Sequence, residues 1–466
     1  MTPRGYLACI SVLLMLAGCL LILAHTDDSD ASSSGQCGDN VYWTYYPEQS
    51  RLVIEGTGGI YDYSSSDERW GGNLDSSGDS ITVEIGEGVT RIGFNAFYDC
   101  AGMTAIALPD SLTEIAAYAF SGCYRLPSVY IPKGVTSIGD DAFIDCIGLA
   151  SVTVADDNTH FQSHEGVLYT EGLDELILCP ACKTGSYTLP DGVKVIRTEG
   201  FLDSRLTSVS LPDTLETIQA YAFWFCSNLV TLDIPANVKA IGGHAVYKCS
   251  KLEAVNVSSD NKYYSSDGGV LFDKNMTRLI VYPEAKSGAY TVPDGVRSID
   301  ELAFSRSKVT SLTLPRSVTT IGSSAFMDCT LLSSVTMGIG PAVIDENTFQ
   351  NCTSLSTVVL PDTVTTIRDY AFYGCDGISS IAIPYSVDTL GNNAFDVSFY
   401  SGDGQKLNNT AGDLRGHLFE KKDGKLTAVS PGTHTVTFDP FGGDTDTSSL
   451  TTSADGKLDE QLPNAH

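Results

Sequence analysis

Cys100, Cys123 and Cys146 lie 23 residues apart, as do Cys226 and Cys249, and again Cys329, Cys352 and Cys375. Eight of the thirteen cysteines keep this spacing, and each closes a phrase such as Ala119-Phe120-Ser121-Gly122-Cys123. A fixed short period means small units stacked on one another, because a single unit cannot bury its own apolar face. In the unit at 126–148, Val129/Ile131 and then Val135/Ile138 alternate with other residues, and Pro132 ends the first run. Period-two alternation turns one set of side chains inward, and proline stops the run because it has no N–H for a ladder. The Ala-Phe-x-x-Cys phrase predicts a helical or 3₁₀ turn that drops Phe and Cys into the core. The expected fold class is therefore a β-rich solenoid, a stack of 23-residue coils with short helical turns.

A longer period lies over the first. Cys123 to Cys226 and Cys226 to Cys329 are both 103 residues, and at this offset Gly166-Val167-Leu168-Tyr169 matches Gly269-Val270-Leu271-Phe272. The inserted stretch at 166–180 reads as two strands joined by a polar turn, so each block is expected to carry one β-hairpin. Whole blocks, rather than single coils, have been duplicated.

The thiol column invites metal or redox readings. In the three units without the cysteine, the residue three after the Phe is Ser204, Ser307 or Ser398. A slot that takes either small side chain selects for size, and thiol chemistry does not survive that exchange. Stacked coils put equivalent Cβ atoms about 4.8 Å apart, wider than the roughly 3.8 Å of a disulfide. Buried, reduced thiols acting as small hydrophobes are expected. Cys179-Pro180-Ala181-Cys182 has the spacing of a redox pair or half a zinc site, but it ends a hairpin strand and has no second pair. His160 and His164 fall on loop and strand, not on one helix face. Asp140-Asp141 and Asp156-Asp157 sit in presumed turns, where aspartate bonds its own backbone. No catalytic residue, metal or cofactor is expected. Asn256, Asn275, Asn351 and Asn408 open Asn-x-Ser/Thr sequons.

With 28 basic against 57 acidic residues, the formal charge is -29. Such a surface repels a phosphate backbone, so no nucleic acid partner is expected. Residues 1–25 form a targeting segment: Arg4 precedes an uncharged run from Gly5 to Ala24. Leu16-Ala17-Gly18-Cys19 has the form of a lipobox, with Cys19 the lipidated residue. The same run would equally serve as a membrane span or a cleaved signal peptide, and these three readings stay open. Each places the rest of the chain outside the cytoplasm, with the membrane touched only through this segment.

The phrase, the period and the hairpin insert together resemble the BspA-type leucine-rich repeat family, whose units read "LP..V..I...AF..C..L". The resemblance covers residues 80–398, after a polar linker at 26–36. Cys37-Gly38-Asp39-Asn40, Trp43 and Leu52–Gly58 look like that family's N-terminal β cap, at 37–79. Residues 399–430 look like the closing β cap, with Asp423-Gly424 as a hairpin turn. The segment 434–466, opening on His434–Asp439 and Gly442-Gly443, is similar to the first part of an internalin-type B-repeat.

The resemblance implies a right-handed coil stack, and adhesion to host matrix, host cells or other microbes. Outward residues of successive first strands run Ala107, Tyr130, Thr153, Ser210, Asp233, Asn256, Thr313, Thr336, Val359 and Ala382. Ten rungs at about 4.8 Å give a ribbon of about 45–50 Å, long enough for a protein interface. The binding residues expected are Tyr130, Thr153, Ser210, Asp233, Asn256 and Thr313, with a protein or cell-surface ligand and a monomeric chain. Two other functions remain as alternatives: a stalk that presents a C-terminal module, and a thiol-redox protein working through Cys179 and Cys182.

Overall fold

A computed structural model describes residues 33–64, 69–74, 78 and 80–429, together with the short strands Val436–Phe438 and Ser448–Leu450. The chain is a β-solenoid that divides into two compact units, Met1–Leu149 with Val154–His160 and Ala150–Thr153 with Phe161–His466. Among the described residues no helix is long and apolar enough to cross a membrane.

The first unit opens with three antiparallel strands, Ser33–Gly38, Val41–Tyr46 and Arg51–Gly56. Residues 33–36, a linker by sequence, are thus part of the first strand. Ile81–Ile85 and Met103–Ala107 then add in parallel. A second column joins Gly58–Gly59, Val89–Ile92, Glu114–Ile115 and Ser137–Ile138. Between the columns the rings of Trp70, Phe97, Phe120 and Phe143 stack at centroid spacings of 4.9, 5.2 and 5.2 Å. That spacing matches the roughly 4.8 Å separation of neighbouring strands.

The second unit repeats the plan and shows what the hairpin inserts do. Phe161–His164, Val167–Thr170 and Glu175–Leu178 form a three-stranded antiparallel meander, one strand more than expected. Its last strand enters the column of short strands, beside Val195–Ile196, Thr217–Ile218 and Ala240–Ile241. The second insert does the same, from Arg278–Val281 onto Ser298–Ile299. The long strands consequently fall into two sheets. One holds Thr184–Thr188, Arg205–Ser210, Thr231–Ile234 and Ala254–Val257, and the other begins at Ser287–Thr291. The expected unbroken ten-rung ribbon is therefore divided inside this unit, because the insert separates consecutive coils on that side. A buried asparagine secures the entry to each insert. Asn261 donates to the carbonyls of Pro235 and Val238 at 2.8 and 3.0 Å, and Asn158 in the first unit does the same to Pro132 and Val135.

The Ala-Phe phrase is not a helical turn. It makes two successive i→i+3 turns, Ser121 N–H to the Tyr118 carbonyl and Cys123 N–H to the Phe120 carbonyl. Residues two before and two after the Phe are left-handed, as in Asp141 and Asp145 or Asn347 and Asn351. Asn and Asp tolerate that conformation better than other non-glycine residues, which explains the aspartates before many of the cysteines. The two left-handed residues and the Phe between them point their N–H groups at the next coil. Asn347, Phe349 and Asn351 donate to the carbonyls of Asp369, Ala371 and Tyr373 at 3.1, 2.8 and 2.7 Å. The turn side is thus a third hydrogen-bonded column.

The thiols complete it. Cys123 and Cys146 donate to the Phe97 and Phe120 carbonyls at 3.1 Å, and Cys352 and Cys375 to Phe326 and Phe349 at 3.1 and 3.0 Å. The exchange of Cys for Ser reads in sequence as a size requirement alone; the structure adds a donor, which serine also provides. No disulfide joins the described cysteines, and burial pushes the Cys329 and Cys375 thiols up to about 12.

Toward the closing cap the ring stack runs Phe349, Phe372 and Phe395, at 5.2 and 5.1 Å. It is then met edge-on by Phe399, which in turn meets Phe419 of the cap. There His417–Lys422 and Lys425–Ala428 pair antiparallel around Asp423 and Gly424, both left-handed as a tight hairpin turn requires. In urea titrations we expect Phe349→Ala to cost about 3–5 kcal/mol. Cys352→Ser, which keeps the donor, should cost about 1 kcal/mol, and Cys352→Val, which overfills the slot without a donor, about 1–3 kcal/mol. Equal losses for Ser and Val would show that the thiol's hydrogen bond contributes nothing.

Candidate binding surfaces

In the first unit Tyr130 stands outward on Ser128–Ile131, 52% exposed. Burial of its hydroxyl, then the charges of Asp110, Asp157 and Asp156, hold its pKa above the ordinary value. In the second unit Ser210, Asp233 and Asn256 are exposed on three consecutive strands of one sheet. Asp233, an unfavourable strand residue, is explained by its neighbour: Asn256 Nδ2 donates to Asp233 Oδ1 at 2.8 Å across the parallel register. Thr153 is exposed on Ser151–Val154. Thr313 is half-buried and lies in a different sheet from the Ser210 group. Ala382 does not face outward as expected; the cap strand covers it, with Leu418 and Val429 against it. Cys19 and most of 434–466 lie outside the described residues. Of the latter, only Val436–Phe438 and Ser448–Leu450 are seen, paired antiparallel.

Cys179 is fully buried, and burial drives its thiol pKa far up, the opposite of what an attacking thiolate requires. Cys182 is partly exposed at the turn beyond it. His160 Nδ1 contacts Thr159 Oγ1, and His164 is exposed at the end of its strand. Among the described residues no group of three His, Cys, Asp or Glu could hold a metal ion.

A second surface, on the turn side of the second unit, is one that sequence reasoning missed. Tyr221, Trp224 and Phe225 of one coil meet His244 and Tyr247 of the next. The Tyr221–Trp224 and Trp224–Phe225 centroids are both 5.2 Å apart, and the Tyr221 hydroxyl lies 3.0 Å from His244 Nδ1. Lys248 Nζ sits 4.3 Å above the Phe225 ring and 5.4 Å from that of Tyr247, a cation–π arrangement. Phe225 is left-handed and 37% exposed, which turns a large apolar ring toward water. The signal lies in the phrase itself: Trp224-Phe225-Cys226 stands where other coils have Ser121-Gly122-Cys123 or Tyr373-Gly374-Cys375. Tyr and Trp are the residue types enriched in protein-binding hot spots.

The column geometry and its consensus agree with an independent comparison. The model for the BspA type leucine rich repeat region matches six times, over 77–165, 179–279 and 281–400. The chain belongs to the BspA-type leucine-rich repeat family. Three similar solved structures are of bacterial proteins. A leucine-rich cell surface protein of Faecalibacterium prausnitzii is similar at 24% identity and a TM-score of 0.50, over 79% of this chain and 97% of its own. The pneumococcal vaccine antigen PcpA shares 18% identity over 80% of this chain and 82% of its own, with a TM-score of 0.38. A leucine-rich repeat protein of Bacteroides ovatus shares 22% over 78% and 93%, with a TM-score of 0.36. No curated protein matches.

Beside the aromatic surface is one buried acid without counterpart in the repeat. Glu284 is 7% exposed, and burial pushes its pKa up from 4.5 to about 7 against the pull of Arg306 and the Lys248 backbone N–H. The folded state then binds the proton more tightly than the unfolded chain, so stability falls as pH rises from 4.5 through 7. The loss is on the order of 3 kcal/mol. Glu284→Gln should therefore raise the melting temperature at pH 8 and make no difference at about pH 4, below the unfolded value. A difference independent of pH would exclude this titration as its source.

Proposed function

We propose that this protein is a non-enzymatic binding protein displayed outside the cytoplasm, tethered through its N-terminal segment, that adheres to proteins of a host or microbial surface. The observation that carries this reading is the surface aromatic cluster Tyr221, Trp224, Phe225 and Tyr247 with Lys248 above it, held on a rigid turn column. Its rings are ordered before any partner arrives, so little side-chain entropy is lost on contact. The strand-face group Ser210, Asp233 and Asn256 supplies a separate polar surface, and Tyr130 among acidic residues suits a basic partner. Family membership supports a role in protein contact, and the similar Faecalibacterium prausnitzii protein is named as a cell surface protein. A stalk function is the second reading, motivated by the paired strands Val436–Phe438 and Ser448–Leu450 beyond the cap.

The full chain, immobilised and exposed to matrix proteins and epithelial cells, tests the proposal. Trp224→Ala with Phe225→Ala should weaken capture by about 10–100-fold. Asp233→Ala with Asn256→Ala should act less strongly. Unchanged capture by the aromatic double variant would move the interface off the turn side, and absence of any capture would favour the stalk.

A further inference from the structure

The turn column of the second unit is interrupted at one place. Phe223 and Phe225 donate to the Ala245 and Tyr247 carbonyls at 2.7 and 3.1 Å. One coil on, the ladder should continue from Val246 to Ala303. The Ala303 carbonyl instead accepts from Tyr282 at 2.7 Å, because the second insert intervenes. The ring column changes with it: Tyr282 stacks on Phe304 at 4.6 Å, and Val246 occupies the position that Phe143 holds one block earlier. A missing ring and an interrupted ladder leave a cleft of about 310 Å³, walled by Val246, Tyr282, Glu284, Asp300 and Ser305. That lies at the small end of the volumes that hold organic ligands.

The cleft has a definite polarity. Glu284 lines it, and Glu284 Oε1 is buried with no hydrogen-bond partner. The other oxygen is 3.7 Å from Arg306, which is shared with Asp328 at 3.5 Å. Ala181 stands at the matching position one block earlier, so the insert does not need a carboxylate there. The other ionisable groups on the wall are Asp300 and Arg278, paired to each other at 3.3 Å, together with Glu301 and His244. Negative charge is in excess, and an unpaired buried acceptor calls for a donor.

We infer that this cleft binds a small organic ammonium, its apolar body filling the space beside Val246 and Tyr282 and its NH₃⁺ donating to the Glu284 carboxylate. Burial raises the Glu284 pKa to about 7, so near neutrality an entering ammonium exchanges its charge for the carboxyl proton. Calorimetric titration of the full chain at pH 8 with phenethylamine, 2-phenylethanol and phenylacetate tests this. Saturable single-site binding of the amine is expected, at least about tenfold tighter than the alcohol, with no binding of the acid. Glu284→Gln should weaken the amine by about tenfold and leave the alcohol unchanged. Val246→Phe, which restores the ring, should abolish both; if that variant does not fold, Val246→Leu should weaken both. No saturable amine binding, equal affinity for amine and alcohol, or amine binding unaffected by Glu284→Gln would each overturn the inference. In the last case Glu284 only caps the Lys248 N–H.

Discussion

The fold depends on keeping successive coils in register along three hydrogen-bonded columns at once. Two are parallel strand ladders, and the third is formed by the turns, through N–H groups such as those of Asn347, Phe349 and Asn351. The phenylalanine stack lies between them and fixes the rise, since rings about 5 Å apart satisfy both stacking and strand pairing. Burying each ring contributes roughly 3 kcal/mol. A coil that slipped by one residue would lose its ring contact, its thiol bond and its turn bonds together.

That coupling explains the economy of the repeat. Left-handed backbone at two points per turn is costly for most residues, and Asn or Asp at positions such as Asp141, Asp145, Asn347 and Asn351 lowers the cost. Where the left-handed residue is instead Tyr221, Phe225 or Tyr370, the turn ladder holds it there and a large ring is delivered to the surface. The cysteine adds a donor to a carbonyl already bonded once, in a slot too small for most side chains. Burial keeps the Cys329 and Cys375 thiols protonated, so the same feature that stabilises the column removes them from chemistry.

Where the stack is interrupted, the molecule gains chemistry. The second insert enters the short-strand column through Arg278–Val281 and the turn column through Tyr282, but it adds no strand to the long-strand sheets on either side of it. Val246 and Glu284 accompany one such interruption, and Phe143 and Ala181 stand at the matching positions of the other. Variation between blocks that share a scaffold is where a site can be read most directly, because the scaffold's needs are known from the other copy.

Much of the fold was legible in sequence. The 23-residue spacing, the inward Val, Ile and Leu, the inserts and the Asp423-Gly424 turn are local signals, and the repeated ones have the same structural answer in each copy. The exposure of Tyr130, Ser210, Asp233 and Asn256 followed from alternation alone. The tertiary structure decided the rest: that the long strands divide into separate sheets, that Ala382 is covered, and that Trp224, Phe225, Tyr247 and Lys248 come together from adjacent coils. The reason is physical. Alternation tells which side of a strand a residue takes, but which strand lies beside it depends on the sheet edge that an insert claims for its hydrogen bonds.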